Sequence, residues 1–318
     1  MRILVVGARG FVGVELVREL LARGHEVIGL EVRGDMGRLT PLADRIRWIT
    51  GDCSKQETIL QAIGPEGVDG IYYGPYFRDP PGTRSLSGEW EVMGKGALDV
   101  FNLADALPIK RILFPSSTAV HGMQPADGAM LDENSRSKPF MVYGATKLLC
   151  EYFASEINAH LGDNRIVCVR LPAVYGPGAD IASRGVNIIP VQAARNRPAQ
   201  VAYVPEARVC VAHVADAARF LADLFEAEAP RHTVYDLGGA DVSFADIADE
   251  TRRLCPDAEI AFGTDTRMPL PNAVSCQRAV DEFGLVHRAL AEGVRSIIEY
   301  ESEKQTRRGD RARGLECA

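Results

Sequence analysis

Tyr143-Gly144-Ala145-Thr146-Lys147 places a phenol and an ammonium four residues apart. On a helix, positions i and i+4 share a face, so both groups project into the same space. An ammonium beside a phenol favours the phenolate and draws its pKa toward the working pH. Such a tyrosine can act as general base toward a secondary alcohol or as general acid toward a carbonyl. The spacing equally describes a solvated Tyr/Lys pair on a helix surface. A second group stands upstream, where the apolar run Arg111-Ile112-Leu113-Phe114 leads into Pro115-Ser116-Ser117-Thr118-Ala119-Val120-His121-Gly122. Hydroxyls at the C-terminal end of a central parallel strand lie where open α/β sheets bind ligands. There Ser117 would hydrogen-bond a substrate hydroxyl while Tyr143 handles its proton; a helix N-cap or Ser/Thr turn is the alternative.

Both groups need a rigid frame, and the first half of the chain has the pattern of one. Strand-like runs at 2–6, 26–31, 46–49, 69–73, 111–115 and 165–170 alternate with helical patterns near 11–23, 55–63, 88–106 and 143–160. This alternation predicts βαβ units and a parallel sheet. The first strand runs into Gly7-Ala8-Arg9-Gly10-Phe11-Val12-Gly13. Glycine is required where a chain turns tightly or where backbone must approach a phosphate, and the helix starting there directs free N–H groups at an anion. The spacing is GxxGxxG, a loose fit to the generic dinucleotide fingerprint, and a plain strand-to-helix turn is the alternative. Glu31 ends the second strand, where a carboxylate would accept hydrogen bonds from both adenosine ribose hydroxyls and repel a 2′-phosphate. That predicts NAD over NADP, although Arg33, two residues on, is a group that accommodates such a phosphate. Gly51-Asp52-Cys53 ends the third strand, where an adenine would lie.

Gly24 is a helix C-cap candidate. Asp79-Pro80-Pro81-Gly82 marks a loop, and Gln124 to Pro139 a second, polar and mobile one. After Arg170 the pattern loosens: 186–196 reads as helical, Gln200–Val204 as extended, Thr233–Leu237 as a last strand, and 243–254, 276–283 and 289–302 as helices. The tail Lys304–Ala318 lacks apolar periodicity and is expected to be frayed or disordered.

Composition narrows the class. The 318 residues carry a net charge of −7 with no Lys/Arg block inside the folded part, which gives no surface for nucleic acid. Cys53, Cys150, Cys168, Cys210, Cys255, Cys276 and Cys317 are scattered and odd in number, without CxxC or Cys/His spacing. They predict reduced thiols in a cytoplasmic protein, with neither a disulfide framework nor a metal site. Met1 leads straight into the first strand without a targeting pattern, and no apolar run approaches the roughly 18 residues of a membrane helix. No membrane partner is expected.

Taken together, these motifs resemble the extended short-chain dehydrogenase/reductases, in the branch with nucleotide-sugar epimerases and dehydratases. The resemblance covers roughly residues 1–300. The family's GxxGxxG resembles 7–13, its acidic strand end Glu31, its Gly-Asp adenine motif 51–52, and its Ser-Ser/Thr-x-x-Val-Tyr-Gly segment 116–122. Its Tyr-x-x-x-Lys resembles 143–147, its Leu-Arg-x-x-x-Val-Tyr-Gly-Pro-Gly segment Val169–Gly178, and its His-Val-x-Asp His213–Asp216. The resemblance implies an α/β fold: a Rossmann-type doubly wound parallel sheet holding NAD, with a smaller C-terminal substrate-binding lobe. Residues 1–172, with a return segment near 207–240, would form the NAD-binding part; 173–206 and 241–303 would form the lobe, and 304–318 a flexible tail. Ser117, Tyr143 and Lys147 are the implied catalytic set. Gly7, Gly10, Phe11, Val12, Gly13, Glu31, Arg33, Asp52, Cys53, Tyr73, Gly74, Pro75, Tyr143, Lys147 and Pro172 are the implied cofactor contacts, with Lys147 also bonding the nicotinamide ribose. A homodimer through the helices near 92–106 and 143–160 is implied as well.

The departures narrow the reaction. Thr118-Ala119 occupies the two positions where the family's dehydratases carry Asp-Glu, so water elimination lacks its proton-transfer groups. A glutamate is also missing where decarboxylating members place one. Ala173 stands in place of an asparagine that contacts the substrate diphosphate, and Val209 in place of an arginine, although the adjacent Arg208 is able to serve. Thr118, Ala173 and Arg208 are therefore the candidate substrate contacts. Glu91 replaces an asparagine, His121 a tyrosine, and Tyr72-Tyr73-Gly74-Pro75-Tyr76 the usual loop near the nicotinamide. His213 reads as a satisfied histidine rather than a metal ligand, and Cys150 as a small buried thiol. The expected activity is hydride and proton transfer at a secondary alcohol of a sugar or nucleotide-sugar, of the 4-epimerase type. The alternatives are a net dehydrogenase or ketoreductase acting on a non-nucleotide hydroxy substrate, and a non-catalytic NAD-binding regulatory protein.

Overall fold

Each strand of the first half alternates side chains between two buried faces, and this sets the architecture. In β1 (Arg2–Val6), Ile3 and Val5 enter one apolar layer while Leu4 and Val6 enter the other. A computed structural model of the chain describes residues 1–77, 83–179 and 185–315, and for 307–315 the backbone alone. The expected loop at Asp79-Pro80-Pro81-Gly82 and Cys317 lie outside the described residues.

After β1 come α1 (Phe11–Ala22), β2 (Glu26–Glu31), β3 (Ile46–Thr50), α2 (Gln56–Ile63) and β4 (Gly70–Tyr73). The helical stretch expected at 88–106 is present but interrupted: α3 (Leu86–Glu89) passes through a π-helical turn, Trp90–Lys95, into α4 (Gly96–Ala106). Next are β5 (Arg111–Ser117), α5 (Val142–Leu161), β6 (Ile166–Leu171), β7 (Ala173–Tyr175), α6 (Ile188–Ala194), β8 (Ala199–Tyr203) and β9 (Arg208–His213). The chain continues through α7 (Val214–Glu226), β10 (Val234–Asp236), β11 (Ala240–Ser243), α8 (Phe244–Leu254), β12 (Ile260–Asp265), α9 (Gln277–Phe283) and α10 (Leu290–Leu315).

The main sheet has seven parallel strands in the order β10-β6-β5-β4-β1-β2-β3. Its direction of winding reverses between β1 and β4, the switch point at which open α/β sheets bind ligands. Helices α1 and α7 pack on one face, and α2, α4 and α5 on the other. A third apolar cluster, around Tyr175, Ile189, Val201, Val209, Phe244 and Ile297, forms the C-terminal lobe with the small sheets β11-β9-β7 and β12-β8.

Three differences from the sequence reading have identifiable causes. The strand β9 and helix α7 follow one another without a turn signal. The helix is capped by the His213 ring, whose Nδ1 accepts from the Ala215 N–H at 3.2 Å, and not by Ser, Thr, Asp or Asn. The stretch from Lys304 to Leu315, expected to lack regular structure, is the continuation of α10. Glu, Lys, Gln and Arg are strong helix formers without any apolar stripe, and the Gln305 amide ties the helix to the Ala194 carbonyl at 3.1 Å. The loop Gln124–Pro139 is irregular, as expected, but hydrogen-bonded to 272–275: Gln124 Oε1 accepts from the Asn272 and Ala273 N–H groups, and Leu131 pairs with Val274.

Candidate active site

The glycine turn is dictated by backbone contacts. Gly7 has φ +82°, and a Cβ there would lie 2.8 Å from the Gly74 carbonyl oxygen and 3.1 Å from the Pro75 nitrogen. A Cβ at Gly13 would run into the Gly7 carbonyl. The two loops at the switch point are thus pressed together, with Gly7 N–H donating to Leu30 O and Gly74 N–H to Val6 O, both at 3.1 Å. Gly10 is the N-cap of α1 and supplies no side-chain cap. The first N–H groups of the helix, at Phe11 and Val12, therefore remain available to an anion.

At the adenosine end, Glu31 Oε1 accepts from the Arg9 N–H at 2.9 Å, which orients its carboxylate toward the glycine turn. Arg33 is exposed. Asp52 Oδ1 is engaged by Ser54 through the backbone N–H and the hydroxyl, at 2.9 and 2.8 Å. Cys53 is half-buried, and burial pushes its thiol up to about 11. The Tyr73 ring is a core group whose hydroxyl donates to Val92 O in the π-turn at 2.7 Å, so its backbone is what adjoins the cleft. Pro172, between β6 and β7, is buried. A cradle that a side chain would fill, unpaired helix N–H groups and an oriented carboxylate at the end of β2 together fit a dinucleotide.

Strand β5 brings Ser117 to the same edge. Its Oγ accepts from the Ala119 N–H at 3.1 Å, capping a 3₁₀ turn, Thr118–Val120. The cap predicted as an alternative is therefore real, and it leaves Ser117 a proton to donate and sets it near the Tyr143 phenol of α5, whose pKa it lowers. Burial pushes that phenol up to about 12; the Ser117 bond opposes the shift, while Tyr76 and Glu89 add to it. Lys147 also has a partner that the spacing alone did not reveal. Its Nζ donates to Pro115 O at 2.7 Å, sits 4.2 Å from the Phe114 ring centroid and 5.7 Å from that of Tyr143. Burial lowers its pKa to about 8. The lysine is thus hydrogen-bonded to the β5 backbone while its charge stays 5.7 Å from the Tyr143 ring, and Ser117 is a further group that favours the phenolate.

Beyond the triad, Thr118 is fully buried, and its Oγ1 has no hydrogen-bond partner among the described residues. Ala173 opens β7 and is half-buried. Arg208 is engaged: Nε donates to Asp241 Oδ1 at 2.9 Å and Nη2 to Asp241 O at 2.8 Å. Val209 is a core residue. Both nitrogens of His213 are used, on Ala215 N–H and Ser296 Oγ. Cys150 is buried and its thiol is pushed up to about 11, mainly by burial. Among the described residues no group of three or more His, Cys, Asp and Glu side chains is arranged to hold a metal ion, and no helix is long and apolar enough to cross a membrane.

Two sets of groups escaped the sequence reading. Glu89 adds electrostatically to the rise at Tyr143 and opposes the fall at Lys147, and its Oε1 is buried without a hydrogen-bond partner among the described residues. No spacing pattern marked it. A buried network of Ser116, Glu151, Arg170, Asp236 and His121 lies behind the site. Glu151 had a signal: it follows Lys147 by four residues and shares its helical face.

A fold of this topology with a glycine cradle and a Ser/Tyr/Lys set at the switch point defines a class of nicotinamide-dependent enzymes. The model of the NAD dependent epimerase/dehydratase family matches residues 3–238. The chain belongs to that family, within the extended short-chain dehydrogenase/reductases. A 2-alkyl-3-oxoalkanoate reductase from Stenotrophomonas maltophilia is 28% identical over 237 residues, 72% of this chain and 67% of the relative. A UDP-glucose 4-epimerase from Lacticaseibacillus casei is 27% identical over 154 residues, 48% of this chain and 45% of the relative, so the match spans less than half of that enzyme. Among solved structures, UDP-glucuronic acid 4-epimerase from Bacillus cereus, in complex with UDP-glucuronic acid and NAD, superimposes with TM-score 0.80 at 18% identity, covering 95% of this chain and 99% of that one. The holo L-threonine dehydrogenase from Cupriavidus necator gives 0.82 at 22% identity, covering 94% and 99%. At such identities the structural likeness establishes the fold.

Proposed function

We propose that this chain catalyses NAD-dependent hydride and proton transfer at a secondary alcohol or its ketone. The observation that carries the reading is the Ser117–Tyr143 pair at the switch point, beside a cradle built for a dinucleotide. Gly7, Gly10, Gly13 and the N–H groups of Phe11 and Val12 would hold the pyrophosphate, Glu31 the adenosine ribose, and Asp52 and Cys53 the adenine edge. Lys147 and Pro172 would meet the nicotinamide end. Bound NAD supplies a hydride acceptor and donor. Ser117 orients the substrate oxygen and favours the deprotonated phenol. Tyr143 takes the alcohol proton in oxidation and returns it in reduction. Lys147, fixed on Pro115 O, holds its position on α5 below the phenol.

With Thr118-Ala119 in place of a carboxylate pair, the reaction proposed is redox at a carbinol carbon of a sugar or nucleotide-sugar, of the 4-epimerase type named for several relatives. A second reading, net oxidation or reduction of a hydroxy substrate without a nucleotide, is favoured by one observation. Val209 is a buried apolar residue and the Arg208 charge is shared with Asp241, so a diphosphate, whose burial without partners is costly, finds less compensating charge here. A homodimer through α4 and α5 is also proposed: Val142, Leu149 and Tyr152 form an exposed apolar stripe along α5 at helical spacing, 46%, 38% and 60% exposed. The substrate lobe is proposed to comprise 173–206 and 241–303, with β9 joining its small sheet.

NAD-loaded protein is tested against UDP-glucose, UDP-glucuronic acid, L-threonine and 3-hydroxybutyrate, following absorbance at 340 nm and product identity. Epimerisation of the sugar without net NADH supports the first reading. A steady rise in NADH supports the second and refutes the first. Turnover by Tyr143→Phe equal to that of the unaltered chain refutes both.

A further inference from the structure

Five buried side chains close a ring behind the candidate site. Ser116, next to Ser117 on β5, donates its hydroxyl to Glu151 Oε1 at 2.5 Å. Glu151 stands on α5, four residues after Lys147, and accepts from Arg170 Nε at 3.0 Å and Nη2 at 2.8 Å. Arg170, on β6, reaches Asp236 Oδ2 on β10 at 3.5 Å. His121 Nε2 faces both Asp236 oxygens, at 3.1 and 3.2 Å. His121 is the C-cap of the 3₁₀ turn that Ser117 caps at its start, so the chain itself completes the ring. Glu133 Oε1 accepts the Asp236 N–H from outside, with Arg278 3.6 Å away from Glu133. Each ring member is at most 4% exposed.

His121 Nδ1 is buried and has no hydrogen-bond partner among the described residues, so the orientation of the ring rests on the Nε2–Asp236 contact. The Ser117 oxygen is held by the Ala119 N–H in the turn, which fixes its place beside Tyr143, whose phenolate it favours. The position of that hydroxyl therefore depends on the turn being held, and the far end of the turn is held by His121. On the opposite side, Glu151 anchors the helix that carries Tyr143. We propose that the His121–Asp236 pair is a positioning device: it clamps the turn carrying Ser117 while Glu151 fixes α5, so that one buried ring sets the Ser117–Tyr143 geometry. The inference rests on the proposed roles of Ser117 and Tyr143. Buried ion networks are weak evidence for stability by themselves, and the assignment of this one to positioning has a readout that a stabilising role would not move.

The readout is the phenolic carbon resonance of Tyr143 in full-length protein labelled with 13C at Cζ of tyrosine, at pH 8, identified by its loss in Tyr143→Phe. Ser117→Ala defines the position of the resonance without the hydroxyl bond. His121→Leu, and His121→Asn as a polar side chain too short to reach Asp236, are expected to move it to the Ser117→Ala position. His121→Gln, which keeps a donor at the distance of Nε2, is expected to leave it in place. With a substrate that reduces NAD, His121→Leu is expected to lower kcat by about 100-fold with KM for NAD unchanged, the loss expected of a misplacement of about 1 Å. A resonance that stays put in folded His121→Leu or His121→Asn, while Ser117→Ala moves it, overturns the inference and leaves the proposed function standing. A resonance unmoved by Ser117→Ala overturns the Ser117–Tyr143 pair and both readings with it.

Discussion

Lys147 is a charged group held against its own solvation. Its Nζ is buried, and burial lowers its pKa from 10.5 to about 8. At about 1.4 kcal/mol per tenfold change in acidity, that drop costs the folded state about 3 kcal/mol wherever lysine is protonated in both states. The unfolded chain keeps its proton up to 10.5 and the folded chain only to about 8. The cost is therefore complete below pH 8 and is relieved as the pH rises from 8 to 10.5. Lys147→Met keeps the length of the side chain and removes the charge, but it also leaves Pro115 O without its 2.7 Å donor, a loss of about 1 kcal/mol. The variant is expected to be more stable at pH 7 by about 2 kcal/mol, which for a chain of this size raises Tm by roughly 3 °C. Turnover is expected to fall at least about 100-fold, a trade of stability against activity common at catalytic sites. Urea denaturation of both proteins at pH 7 and pH 10.5 measures the difference, which is expected to shrink to nothing or reverse at the higher pH. A variant less stable than the parent at pH 7, or a gain that does not depend on pH, refutes the reasoning.

Tyr143→Phe is expected to bind NAD with unchanged affinity by calorimetry while losing about 1,000-fold in turnover, within the range for removal of a general acid–base group. Gly7→Ala forces a Cβ into a left-handed conformation at φ +82° and against Gly74 O at 2.8 Å. A loss of about 2 kcal/mol in urea denaturation and at least a tenfold weaker Kd for NAD are expected. Glu31→Gln is expected to narrow the preference for NAD over NADP in paired titrations; an unchanged ratio would move the specificity to Arg33. Burial lowers the pKa of His213 from 6.5 to about 4. The unfolded chain takes up that proton first as the pH falls, so folded stability contributed by His213 is lost between 6.5 and 4. His213→Asn, which keeps an N-cap acceptor, should flatten that part of the acid denaturation profile.

Local pattern carried much of this protein. Strand-length apolar runs separated by helical periodicity announced the parallel sheet, because each buried strand must satisfy two apolar faces. Gly7, Gly10 and Gly13 announced the cradle, because no other residue permits that turn and that close approach. The spacing of Tyr143 and Lys147 by itself places both on one helical face. The partners of these groups were decided in three dimensions. Only the packing of α5 on β5 gives Lys147 to the Pro115 carbonyl and sets Ser117 beside the phenol. Arg208 looked free to meet a substrate until the antiparallel pairing of β9 with β11 set it beside Asp241. Glu89 acquires its influence on Tyr143 from the fold of α3 and the π-turn, and His121 finds Asp236 from 115 residues away. Sequence spacing reports which groups share one element's face. Burial, and the partner that relieves it, depend on which elements meet, and that is set by the tertiary structure.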